Sequence, residues 1–189
     1  MLDKEEVQEA IDKFRKYVVQ QSKSNLTKQK KNASKSLYNS IKGVSKVNPN
    51  SISLYFEMEK HGLYQDKGVK GTKSTHPESQ SSPYSYKSKG GKRGLKGMPP
   101  PRALDKWVVR RSIAPRDAKG RFMSRNTVNF LVAKSIFEKG IKASMFFTKP
   151  FEKAFANLPE ELVEAYGIDI VRTFTDLDKW LIYLQEVHL

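Results

Sequence analysis

The sequence predicts an α+β fold. A small antiparallel β-sheet, formed by a hairpin near 44–59, is packed with several α-helices. The N-terminal helix is long, and a long basic loop is inserted after the sheet. Three observations carry this. Ile52, Leu54, Phe56 and Met58 alternate with Ser53, Tyr55, Glu57 and Glu59, the period of a strand with one buried face. Val7, Ile11, Phe14 and Val18 recur at spacings of four, three and four, which lays one apolar stripe along a helix. From Lys73 to Pro101 the apolar pattern stops and Ser, Gly, Lys, Pro and Tyr take over, with six serines between Ser74 and Ser88. That composition buries too little apolar surface to offset its ordering entropy, so a flexible insertion at about 73–101 is expected.

In chain order, Asp3 with Glu6 three residues later suits a helix start, and the stripe that follows predicts a helix over 3–22. It weakens through Gln20–Gln29. Ala33, Leu37 and Ile41 resume the four-residue spacing in a second helical piece ending near Gly43. Val44–Val47, the turn Asn48-Pro49-Asn50 and the strand from Ser51 then make the hairpin. At His61-Gly62 the strand gives way to a sharply turning backbone through Gly68 and Gly71. Pro99–Pro101 leads into a helix over 102–113, with Leu104, Trp107 and Val108 on its buried side. Ala114–Arg121 reads as a basic turn. A helix over 126–140 follows, capped by Asn126 or Thr127 and stopped at Gly140. These three helices are expected to pack around the hairpin. Thr148-Lys149-Pro150 starts another helix, Pro159-Glu160-Glu161 opens a last helical region, and residues beyond Gly167 suit either helix or strand.

At 189 residues the length favours a single domain, 1–189, with a C-terminal extension at about 170–189. The absence of cysteine excludes a disulfide framework and thiolate metal sites. No apolar run reaches the ~18 residues of a membrane helix, and Met1-Leu-Asp-Lys-Glu-Glu is unlike a signal peptide, so a cytoplasm-like interior is expected, with no membrane partner. The net charge of +15 is concentrated: residues 60–125 hold 17 Lys and Arg against four acids (Asp66, Glu78, Asp105 and Asp117), a net of +13. Such a field implies a polyanionic neighbour, nucleic acid or an acidic protein surface, set against the plainer reading of a solvated basic loop. Candidate contacts are Lys87, Lys89, Lys92, Arg93 and Lys96 in the insertion, with Arg102, Arg110, Arg111, Arg116, Lys119, Arg121 and Arg125 beyond it. Aromatics are interleaved with these charges, Tyr84, Tyr86, Trp107 and Phe122, rings of the kind that stack bases in single-strand binders; Trp107 falls on the apolar face of its helix, while Tyr84 and Tyr86 are free to stack.

Signs of catalysis are sparse. The glycine-rich runs contain neither a P-loop nor a dinucleotide fingerprint, and His61, His76 and His188 lack the short spacings of zinc ligands. Asp117-Ala-Lys119 has the spacing of a carboxylate–lysine pair in some nucleases, and equally that of any basic hairpin turn. No catalytic residue, metal or cofactor is expected.

Gly62-Leu-Tyr64-Gln-Asp66-Lys-Gly68-Val-Lys-Gly71-Thr72 resembles the tyrosine, acid, glycine-threonine pattern of the neck proteins of tailed bacteriophages, also called head-to-tail joining or tail-completion proteins. The resemblance continues in Leu104-Asp-Lys-Trp107, in Ile113–Arg121, in Lys139-Gly-Ile-Lys-Ala-Ser144, and in Phe146-Phe-Thr-Lys-Pro-Phe151, similar to the family's proline-phenylalanine before the final helix. It spans about residues 35–170; the insertion at 73–101 and the tail after Asp169 depart from it. It implies a structural, non-enzymatic virion protein made in the host cytoplasm. In the particle it would be a connector ring at the head–tail junction, of roughly six or twelve copies, around the DNA channel. Its neighbours would be the portal or adjoining neck and tail rings, with non-specific contact to packaged DNA as a further expectation. Tyr64, Asp66, Gly68, Gly71, Pro150 and Phe151 would be its turn and assembly residues, or simply folding residues. The alternative from the charge alone is a non-virion nucleic-acid-binding module.

Overall fold

The computed structural model describes residues 4–48, 51–91, 94–158, 170–171 and 183–184. The fold is α+β: among the described residues there are six α-helices and small two-stranded antiparallel sheets. The chain divides into two compact units, Met1–Gly62 with Met145–Leu189, and Leu63–Ser144. The second unit is inserted in the sequence of the first.

The first unit is built on helix α1 (Lys4–Lys28), the short α2 (Ser36–Ser40), strands β1 (Lys42–Asn48) and β2 (Ser51–Glu57), and α6 (Thr148–Ala156). α1 runs past residue 22, where its stripe suggested an end, because Ser22 and Leu26 extend the buried row of Val7, Ile11, Phe14 and Val18. Asn25 Nδ2 donates to the Phe146 carbonyl at 3.3 Å, so the polar stretch remains packed. β1 and β2 pair with Ser45 opposite Leu54 and Gly43 opposite Phe56. Leu54, Phe56 and Met58 are buried as the alternation requires. β1 opposes them with small residues, over which α1 lies: Asp12 accepts from Ser45 Oγ at 2.6 Å, and Arg15 donates to the Gly43 carbonyl at 3.0 Å.

The helices that cover the hairpin are α1 and α6, whereas those expected over 102–113 and 126–140 belong to the second unit. The reason is aromatic. Phe56 lies 5.4 Å from Phe147 and 6.0 Å from Phe151, and Phe14 meets Phe151 edge-on at 5.5 Å. Rings offset in this way gain about 0.5–1.5 kcal/mol per pair beyond burial. Pro150 and Phe151 are both buried; they are core residues of α6.

In the second unit the backbone after His61 is helical, α3 (His61–Lys67), before it turns. Gly68 at φ 73° then leads into β3 (Val69–Lys70), paired antiparallel with β4 (Gly140–Ile141). Pro101–Leu104 forms a 3-10 turn and α4 spans only Asp105–Arg110. α4 is shorter than expected and turned: Val108 is buried while Trp107 is 37% exposed. α5 (Arg125–Lys139) begins at Ser124, whose hydroxyl accepts from Thr127 N at 3.2 Å. The cap is therefore Ser124, not Asn126 or Thr127. In the first unit, Ile170–Val171 (β5) and Tyr183–Leu184 (β6) pair as strands; the helical region expected from Pro159 lies outside the described residues.

Candidate functional site

Two places in the second unit gather the residues that the sequence singled out. The first is the junction of β3 and β4. Gly71 lies so close to the Glu138 and Ser74 carbonyls that any Cβ would strike them. Ser144 donates from N to the Gln65 and Asp66 carbonyls, each at 3.1 Å, and from Oγ to Gln65 at 2.6 Å. Asp66 is fully buried, and the Tyr64 ring meets Tyr84 edge-on at 4.7 Å. The stretches Tyr64–Gly71 and Lys139–Ser144 are therefore one interlocked structure.

That junction also recruits the first half of the 73–101 segment, which corrects the expectation of an unstructured arm there. Ser79 and Ser82 are buried. Ser79 Oγ donates to the Ile141 carbonyl at 2.8 Å and accepts from Ala143 N at 2.9 Å; Ser82 Oγ donates to the Gly68 carbonyl at 2.7 Å. Ser85 bridges Lys70, and Tyr86 packs on Phe137 at 5.9 Å, so Tyr84 and Tyr86 are committed to the fold. Burial pushes the Tyr86 phenol up. Lys73 at 2.8 Å from Glu138 and Lys142 at 2.6 Å from Glu78 each hold their carboxylate below its usual range, chiefly by hydrogen bonding. Hydroxyls supply the ordering that apolar composition did not advertise.

The second place is the hairpin Pro115–Met123. Met123 N donates to the Pro115 carbonyl at 3.0 Å and Asp117 N to the Arg121 carbonyl at 2.8 Å. Asp117 Oδ1 accepts from Lys119 N and Arg121 N, both at 2.9 Å, and Oδ2 pairs with Arg121 Nε at 3.2 Å. Both carboxylate oxygens thus serve the turn, a local role typical of Asp in loops. Arg116 donates to the Gly120 carbonyl at 2.6 Å and lays its guanidinium 3.9 Å from the centroid of Phe122, whose side chain is 64% exposed. An exposed ring under a guanidinium gains about 0.5–1 kcal/mol from the cation–π contact.

Around this hairpin the basic residues are partly gathered. Arg116, Lys119 and Arg121 share the hairpin, and Arg125 opens α5, 3.7 Å from Asp105. Asp105 also accepts from Asn129 at 3.1 Å, tying α4 to α5. Arg102 and Arg110 are exposed along the Pro101–Leu104 turn and α4, while Arg111 is half-buried, with its guanidinium 6.0 Å from the Trp107 ring. Lys87, Lys89 and Lys96 are exposed on a separate small loop closed by Lys89 N to the Lys96 carbonyl at 2.7 Å. Lys92 and Arg93 lie outside the described residues. Sequence reading named Arg116 and Phe122 but missed their contact, although Asp117-x-x-Gly120 as a turn places 116 opposite 122. It also missed a groove on α1, lined by Glu5, Gln8, Glu9, Asp12, Lys13 and Lys16. Among the described residues no three His, Asp or Glu side chains cluster to hold a metal ion, and no helix is long and apolar enough to cross a membrane.

No family model matches the chain, and no curated protein or solved structure matches it either.

Proposed function

We propose that this chain is a structural subunit of a tailed-bacteriophage virion, a ring component joining head to tail around the DNA channel. In this reading it binds the portal or an adjoining neck or tail ring and performs no turnover. The observation that carries it is the β3–β4 junction. Stretches far apart in sequence that resemble the neck-protein pattern, Tyr64–Gly71 and Lys139–Ser144, pack against one another through backbone contacts. The basic hairpin adds an exposed surface of Arg and aromatic side chains, the composition of interface hot spots.

The test is mass measurement of the purified protein alone and mixed with the portal encoded by the same genome. A ring-stoichiometric complex is expected. The second reading, a nucleic-acid-binding module, draws on the exposed Phe122 and its three neighbouring cations, which suit stacking and phosphate contact. It requires instead a monomer that ignores the portal and shifts DNA with steep salt dependence. Incubation with DNA and Mg²⁺ or Mn²⁺ is expected to leave the DNA intact; cleavage abolished by Asp117→Ala would replace both readings with a nuclease.

A further inference from the structure

A shallow groove of about 630 Å³ follows the outer face of α1, lined by Glu5, Gln8, Glu9, Asp12, Lys13 and Lys16. Its lining carries three acids, Glu5, Glu9 and Asp12, against Lys13 and Lys16, a net of −1 in a chain of net charge +15. The lining has polarity. Glu5, Gln8 and Glu9 form its acidic end, while Lys13, bonded to Glu9 at 2.8 Å, and Lys16 close the other. The methylene stems of Gln8 and the lysines give it an apolar floor.

The hairpin Pro115–Met123 is the complementary shape. It is an exposed turn closed by the Arg116–Phe122 bridge and locked by Asp117, with Lys119 and Arg121 exposed beside Phe122, which Arg116 covers on one face and which stays largely exposed. A rigid arm loses little conformational freedom on docking, and a ring partly stripped of solvent gains most where aliphatic stems receive it.

We infer that the hairpin of one subunit seats in the α1 groove of the next, with Phe122 on the groove floor and Lys119 and Arg121 at its Glu5–Glu9 end. Lys13 and Lys16 repel the arm's cations from the opposite end and so fix its direction. Arm and groove are different surfaces, so the contact is head-to-tail, the kind that closes into a ring when its rotation permits. This inference rests on the ring reading proposed above.

The experiment uses full-length chains. One variant reverses the arm, Lys119→Glu with Arg121→Glu; the other reverses the groove, Glu5→Lys with Glu9→Lys. All four positions are exposed, and the neutral pairs Lys119→Gln with Arg121→Gln and Glu5→Gln with Glu9→Gln cover any variant that loses its helical circular dichroism. Light scattering should find that each reversed variant associates with itself about tenfold or more weakly than wild type. Mixed in equal amounts, the two should assemble again, because acidic arm then meets basic groove and basic arm meets acidic groove. Reversed variants that assemble as well as wild type, or a mixture that does not recover, would overturn the contact while leaving portal binding as a separate measurement. A wild type that neither self-associates nor joins the portal overturns the ring reading and this contact together.

Discussion

Phe56 shows how much a single residue decides. Its side chain is fully buried against Phe14, Phe147 and Phe151, so Phe56→Ala should cost about 3–5 kcal/mol in a denaturant titration. Phe56→Asp, which places an unpaired charge there, should leave no cooperative unfolding transition. Phe122→Ala should cost no more than about 1 kcal/mol, since the ring is exposed and what it loses is chiefly the Arg116 cation–π contact. Asp12 gives a pH signature. The bond from Ser45, then those from Gln8 and Arg15, outweigh desolvation and hold its carboxyl below the usual range. With the folded pKa under the unfolded value of about 3.9, Asp12 contributes stability above that pH and loses it as pH falls through the folded pKa. The stability gap between wild type and Asp12→Asn should therefore be full near neutrality and close below about pH 4. Phe56 was legible from alternation alone. Asp12 was not, because its partner Ser45 is 33 residues away and no period links a carboxylate to a distant hydroxyl.

Among the elements, the β1–β2 hairpin and α6 lie where the spacing put them, and α1 runs six residues further than its stripe suggested; α5 spans the expected residues but buries Val128, Ala133 and Phe137 and leaves Leu131 exposed. The irregular 73–101 segment was misread because its anchors are polar. Composition counts a serine as solvated, yet Ser79 spends both hydrogen-bonding roles on Ile141 and Ala143. Ser79→Ala leaves the Ala143 N–H without that partner in a buried place and should cost about 1–3 kcal/mol, measurable as a lower melting temperature. The segment should behave as two halves. Deleting 74–86 should prevent the second unit from folding, read as loss of amide-exchange protection in α5, whereas replacing 89–96 by a short Gly-Ser turn should leave it intact. The direction of α4 was also illegible: Trp107 and Val108 are adjacent apolar residues, and only the packing with α5 selects Val108.

For the molecule as a whole, the charge separates folding from association. The cores rest on aromatic and backbone contacts, while in the ring proposed above the exposed excess of Lys and Arg serves partner surfaces. Raising salt from ~0.05 to ~1 M shortens the Debye length from over 10 Å to about 3 Å. It should dissociate subunits from each other and from polyanionic partners in sedimentation, and leave the melting temperature nearly unchanged. The insertion of Leu63–Ser144 between the two parts of the first unit also sets an order of events during synthesis. Phe14 and Phe56 leave the ribosome early, but Phe147 and Phe151, which cover them, follow only after the whole inserted unit. At roughly 5–20 residues per second, the hairpin waits several seconds with its aromatic face open, a nascent chain that invites a chaperone until α6 arrives.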